Sequence, residues 1–190
     1  AADEGLMYDL LVAGRMDHED GTMFHGIKRL PGGCLMEIAG GAMTVRRYWQ
    51  LDEGLRSDDV SFKDAAVRFH DLFHESIRLQ MRADVPVACC LSGGLDSSSV
   101  SAVASALSDY RMSAFTACFE DLSMDEWSWA EHIHRLNRVD PIAVTAKPEA
   151  FWGELQSLIR AQEEPVAGPG VYAQWSVMKA IKERGIRVTL

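Results

Sequence analysis

The residues best equipped for chemistry in this chain stand together in one stretch, Ser92-Gly93-Gly94-Leu95-Asp96-Ser97-Ser98. Two glycines permit positive φ and remove the side chains that keep an anion away from the backbone. Asp96, Ser97 and Ser98 are residue types that begin helices. A helix start of this kind presents unpaired N–H groups and the positive end of the helix dipole, so a phosphate against Gly94–Ser98 meets amides and hydroxyls together. The carboxylate of Asp96 would repel a triphosphate at close range in a partly dry site. A bridging cation removes the conflict. Mg²⁺ takes one or two carboxylates with phosphate oxygens and water, which makes Asp96 the candidate metal ligand. The competing reading is that Asp96 only caps the helix.

The loop needs a strand before it and a helix after it, and the sequence supplies both. Val87 to Leu91 is an apolar run too short for a helix, between Pro86 and Gly93, as expected for a strand buried on both faces. From Ser97 to Leu107 run Ser, Ala and Val, a helix able to pack closely on a sheet. Beyond it the pattern alternates: a strand at Ala114–Phe119, a helix at Asp125–Asn137, a strand at Ile142–Thr145, helices at Pro148–Gln162 and Val171–Arg184, and a strand at Ile186–Leu190. Alternation of this kind predicts an α/β fold with a parallel sheet and helices on both faces. The strand ending at Leu91 is expected to be central and the one ending at Leu190 beside it. Ligand then sits at the strands' C-terminal ends.

Before the loop, Phe62–Arg82 reads as an amphipathic helix, with Phe62, Ala66, Phe69, Phe73, Ile77 and Met81 on one stripe. Upstream come a short helix, Leu6–Ala13, and two β-prone runs, Cys34–Ile38 and Ala42–Trp49, joined at Ala39-Gly40-Gly41 as a hairpin. Leu51 to Ser61 is acidic and without hydrophobic period, a linker pattern.

The string Ser92-Gly93-Gly94-Leu95-Asp96-Ser97-Ser98 resembles the pyrophosphate loop (PP-loop) of the ATP pyrophosphatase superfamily, and in detail that of glutamine-dependent asparagine synthetases. No Gly-Lys-Ser/Thr follows the glycines, which separates it from a Walker loop, and it lacks the Gly-x-Gly-x-x-Gly of dinucleotide folds. Ala114-Phe115-Thr116-Ala117-Cys118-Phe119 resembles the family's second strand, and Glu163-Glu164-Pro165 with Tyr172-Ala173-Gln174-Trp175 resembles the stretch lining its substrate side. Met23–Pro31 and Arg46-Arg47-Tyr48-Trp49 are similar to the closing segment of the family's glutaminase domain, with Pro31-Gly32-Gly33-Cys34 departing from the more usual Pro-Pro-Gly-His.

The resemblance implies an adenine nucleotide α-hydrolase-like fold and three parts: residues 1–51 as a remnant of an N-terminal nucleophile type glutaminase domain, 52–61 as linker, and 62–190 as the ATP-binding synthetase domain. It implies ATP contacts at Leu91, Ser92, Gly93, Gly94, Leu95, Asp96, Ser97, Ser98 and Ala117, with Leu91 and Ala117 at the adenine and Mg²⁺ at Asp96. The implied reaction adenylates aspartate or a similar carboxylate and amidates it with ammonia from glutamine, without a covalent protein nucleophile. A homodimer is implied for the full-length enzyme. Both termini are expected to be cut, since the chain starts at alanine and stops inside a predicted strand, and isolated fragment activity is expected to be negligible, since the family's glutaminase cysteine and its glycine-rich Asp-Glu loop are both missing. Two alternatives stay open: β-lactam synthetase or another amidotransferase-like ligase, and a nucleotide-binding module without catalysis.

Composition narrows the partners. A formal charge of −9 and pI near 5.1 argue against a nucleic-acid or acidic-membrane partner, and the sequence shows no apolar run of membrane-spanning length and no leader pattern. A cytoplasmic location is the expectation. Cys34, Cys89, Cys90 and Cys118 lack paired metal spacing, and the last three fall in predicted strands, where a thiol packs as a small apolar group. His70 and His74 are one helical turn apart but without a zincin's glutamate, so they are read as a solvated face. His132 and His134 must point to different sides of their helix.

Overall fold

A computed structural model describes residues 1–51, 60–120, 125–136, 138–166 and 168–190. Two compact units emerge, one of residues 1–59 with 159–167 and one of residues 60–158 with 168–190. In the first, helix α1 (Glu4–Ala13) is capped by the Asp3 carboxylate, which accepts from Leu6 N–H at 3.2 Å, and stops at Gly14 in the left-handed region. Strands β1 (Cys34–Ala39) and β2 (Ala42–Arg47) form the expected antiparallel hairpin. Its two-residue turn, Gly40-Gly41, has φ of +57° and +79°, the positive values that match the twist of a hairpin. Arg29 bridges Asp17 and Glu164, with 3.1 Å to the latter, and so ties the 159–167 segment into this unit.

The second unit is built from α2 (Phe62–Gln80), β3 (Val87–Cys90), α3 (Leu95–Leu107), β4 (Met112–Cys118), α4 (Trp127–Leu136), β5 (Val139–Thr145), α5 (Pro148–Gln162) as far as Leu158, α6 (Pro169–Glu183) and β6 (Val188–Thr189). The sheet order is β5-β4-β3-β6 and every pairing is parallel. As expected, β3 lies inside the sheet with β6 beside it. The period-two alternation of a strand sends Val87, Cys89 and Leu91 into one core with Ile77, Ala104, Met112, Ala114, Ala130 and Val139, beneath α2, α3 and α4. Ala88 goes to the opposite face, where Phe115, Val177 and Ile181 of β4 and α6 meet it. Covering both faces explains why β3 reads as a continuous apolar run.

Several boundaries differ from the sequence reading. Helix α3 begins at Leu95, two residues early, because Gly94 serves as its N-cap. Asp125 precedes α4 instead of opening it, its carboxylate accepting from Phe119 N–H at 3.1 Å. β5 starts at Val139 and runs through Pro141, which an edge strand tolerates because a missing N–H there interrupts no ladder on its outer side. β6 is shorter than Ile186–Leu190. The stripe on α2 packs only in its C-terminal half: Phe73, Ile77 and Met81 join the core, whereas Phe62 and Phe69 are 90% and 69% exposed. Ser61 caps α2 by accepting from Asp64 N–H at 3.2 Å; residues 52–59 of the expected linker lie outside the described residues.

Candidate functional site

β3 ends at Cys90, and the chain leaves the sheet through Leu91 and Ser92 before α3 begins. The turn depends on Gly93, whose φ is +80°. A Cβ there would stand 2.6 Å from Trp129 Cβ and 2.7 Å from Ala130 N, so only glycine lets the start of α4 close on the loop. Gly94 does not use the positive φ open to it: at −69°, 164° it is extended, and a Cβ would meet only Ser92 Oγ at 3.3 Å. One glycine serves packing and the other keeps the approach to the helix N-terminus open.

Ser92 and Ser97 brace the loop. Ser92 N–H donates to Ser97 Oγ at 3.2 Å, the two hydroxyls lie 2.9 Å apart, Gly94 N–H donates to Ser92 Oγ at 3.3 Å, and Ser97 Oγ–H donates to Gly94 C=O at 3.3 Å. A hydroxyl has one proton, so this set is consistent only if Ser92 gives its own to Ser97. The first intrahelical bond is Ser98 N–H to Gly94 C=O at 3.0 Å. Among the described residues, the amides of Leu95, Asp96 and Ser97 therefore face outward without a partner, as the first turn of a helix leaves them.

Asp96 sits exposed in that first turn. The capping alternative loses its basis, since Gly94 holds the N-cap position and no side chain caps the helix. The bonds of the loop run through Ser92 and Ser97 and leave the Asp96 carboxylate out. Among the described residues no three His, Cys, Asp or Glu gather as a metal cage. A single carboxylate fits Mg²⁺ shared with phosphate oxygens and water, and fits no cation held by protein alone.

A cleft of about 520 Å³ opens at the C-terminal ends of β3 and β4, within the range of roughly 300–1,000 Å³ usual for small-molecule sites. It brings together Leu91, Ser92, Ser97 and Ala117 of the expected residues, and adds Cys90, Phe115, Phe119, Glu126 and, from α6, Gly170, Ala173, Gln174, Val177 and Met178. Gly93, Gly94, Leu95, Asp96 and Ser98 adjoin it on the loop without forming its wall. Leu95 is 84% exposed, and the Ser98 hydroxyl is buried without a partner among the described residues. Of Tyr172–Trp175, Ala173 and Gln174 face this cleft while Tyr172 lines a second hollow. Glu163 and Glu164 belong to the first unit. The α6 contribution is legible as the helical spacing 170, 173, 174, 177, 178, a pattern that sequence alone assigns equally well to core.

The end of β4 offers a hydrogen-bonding edge. Phe115 C=O accepts from Leu91 N–H at 2.8 Å, on the β3 side, and Cys118 C=O accepts from Ala146 N–H at 3.3 Å, on the β5 side. Alternation then turns the N–H and C=O of Ala117 toward β3. β3 has ended at that height, and no described residue takes them. Leu91 is different: its N–H is spent on Phe115 and its C=O already accepts from Thr116 Oγ1–H at 2.6 Å, so its backbone has no donor left for a ligand.

The cysteines are free and structural in character. Burial pushes the Cys89 thiol up to about 11, with Cys90 adding to the shift, and burial also raises Cys90 and Cys118. His134 is 6% exposed and its ring lies tilted against Trp127, centroids 5.4 Å apart, while His132 on the other side of α4 is exposed. His70 and His74 lie ring to ring at 4.2 Å on α2 and recruit no third ligand among the described residues.

Residues 68–190 match the family model for asparagine synthase. The chain belongs to the asparagine synthase family. Among curated relatives, it is 34% identical over 82 residues to asparagine synthetase [glutamine-hydrolyzing] 3 of Bacillus subtilis, covering 43% of this chain and 13% of that protein. It is 29% identical over 166 residues to asparagine synthetase [glutamine-hydrolyzing] 1 of the same organism, covering 87% and 26%. A third relative, the amidase chyE of Penicillium rubens, is 28% identical over 189 residues, covering 90% and 28%. The chain thus spans between 13% and 28% of the length of these relatives. Family membership accords with the four-stranded parallel sheet and its flanking helices. No helix among the described residues is long and apolar enough to cross a membrane.

Proposed function

We propose that this chain is the nucleotide-holding part of an ATP-dependent amide ligase of the asparagine synthase family, acting on aspartate or a similar carboxylate with ammonia drawn from glutamine. The observation that carries the reading is the loop: a braced Ser92/Ser97 turn, an open Gly94 and three outward amides at the start of α3. Such a set receives pyrophosphate oxygens by geometry and dipole, with no nucleophile required. Ala117, whose donor and acceptor stand side by side without a partner among the described residues, suits the edge of adenine, where a ring nitrogen accepts beside an amino group that donates. Phe119, Val177 and Met178 supply apolar contact for the ring. Mg²⁺, when bound at Asp96, neutralises charge on the leaving pyrophosphate.

In this scheme the substrate carboxylate attacks the α-phosphorus of ATP, pyrophosphate departs into the loop, and ammonia then displaces AMP to give the amide. The chain's residues bind the phosphates, hold the base and orient both for that displacement. Residues 1–51 are proposed as the end of a glutaminase domain, 52–61 as linker and 62–190 as the synthetase part, and the whole enzyme as a cytoplasmic homodimer.

An acceptor other than aspartate is the second reading. It is prompted by the amidase relative, which aligns over 90% of this chain, beside 87% for the B. subtilis synthetase 1. The test is pyrophosphate release by the whole protein, with ATP, ammonia and a panel of carboxylates. Release dependent on aspartate supports asparagine synthesis, release with another carboxylate alone supports the second reading, and release with none refutes the ligase.

A further inference from the structure

Helix α6 shows two working faces. Gly170, Ala173, Gln174, Val177 and Met178 line the cleft; at 3.6 residues per turn, Tyr172, Trp175, Ser176 and Lys179 fall on roughly the opposite side. That back face is held from α5. Glu154 accepts from Trp175 Nε1–H through Oε2 at 3.0 Å and from Lys179 Nζ through Oε1 at 2.5 Å. Each carboxylate oxygen takes one donor, and the two donors stand one turn apart, so a single side chain fixes both the rotation and the axial position of α6. Two further contacts anchor the same face: Tyr172 Oη–H donates to Lys147 C=O at 3.2 Å, and the rings of Phe151 and Tyr172 meet edge-on at 5.2 Å.

We propose that Glu154 is a positioning residue for the cleft, setting the α6 wall against the base and substrate side while leaving the phosphate loop untouched. The loop is braced independently, through Ser92 and Ser97 on the far side of the sheet's end. Loss of Glu154 should therefore divide the nucleotide into two halves, weakening what α6 touches and sparing what the loop holds. The Lys179 ammonium keeps the Glu154 carboxyl below the usual carboxylate range, so the clamp is charged at neutral pH. This inference rests on the nucleotide reading of the cleft.

The experiment compares the full chain with Glu154→Ala and Glu154→Gln, using isothermal titration with ATP and with inorganic pyrophosphate, both with Mg²⁺, and hydrogen exchange of the α6 amides without ligand. Expected for Glu154→Ala are faster exchange in α6 and ATP binding weakened about tenfold, the loss of a charged hydrogen-bond pair. Pyrophosphate affinity should stay within about twofold. Glu154→Gln, whose amide oxygen still accepts from Trp175, should recover most of the ATP affinity. Unchanged α6 exchange overturns the clamp, as does an equal fall in ATP and pyrophosphate affinity, or faster exchange with ATP affinity intact. A wild-type chain that binds pyrophosphate but not ATP overturns the nucleotide reading itself, and this inference with it.

Discussion

Gly93 and Gly94 are adjacent and alike in sequence, yet the structure gives them different duties, and substitution separates the two. Gly93→Ala forces a side chain into Trp129 and Ala130 at positive φ, and should cost roughly 2–4 kcal/mol through strain and overpacking, read as a lowered midpoint in urea denaturation. At Gly94 an added Cβ meets only Ser92 Oγ, and Gly94→Val should cost about 1 kcal/mol or less as a poorer N-cap. It should nevertheless weaken nucleotide binding by filling the approach to the amides. Equal stability losses at both positions would contradict this division. At the end of β4, Thr116→Val removes the buried bond to Leu91 C=O and should destabilise by about 1–2 kcal/mol; an unchanged unfolding midpoint would show that the carbonyl finds another partner.

At the scale of elements, α5 was legible to the residue, Pro148 to Gln162, because a proline opens it and its apolar period is clean. The hairpin announced itself by Gly40-Gly41, and β3 by an apolar run between breakers. Less was legible where a partner decides the outcome. Pro141 obscures the start of β5, and only the sheet order, which puts β5 on the edge, makes a strand there acceptable. The stripe on α2 predicts a buried face along the whole helix, but burial needs something to pack against, and only Phe73, Ile77 and Met81 find it. The Glu154 clamp joins residues 21 and 25 apart in sequence, a separation at which no local pattern signals contact. The strand, glycine turn and helix start around Ser92–Ser98 were legible, since an apolar run, two glycines and then aspartate and serine dictate a strand-to-helix turn. The bracing of that turn and the N-cap at Gly94 were not, because they depend on actual φ values.

For the whole molecule, acid should act in two stages. Burial lowers the pKa of His134 below the ordinary 6.5, partly offset by Glu131. The unfolded chain then binds more protons in that window, so stability is full above about pH 6.5 and falls as pH drops below it. Lys179, ahead of Trp175, lowers the pKa of Glu154 below its ordinary 4.5; that contribution is present above pH 4.5 and fades as pH falls further. Urea midpoints followed from pH 8 to 4 should show the first decline, and His134→Phe should flatten it between pH 6.5 and 5. A decline identical in that variant would assign it to other groups.

The central claim is that the α3 N-terminus holds ATP phosphates with a cation at Asp96. Titration of ATP at a series of Mg²⁺ concentrations, for the wild-type chain and Asp96→Asn, tests it most directly. Because Gly94 and not Asp96 caps α3, the variant should unfold at the same urea concentration as wild type while requiring more Mg²⁺ to reach the same ATP affinity. Superimposable Mg²⁺ curves would contradict the claim and leave Asp96 a surface carboxylate.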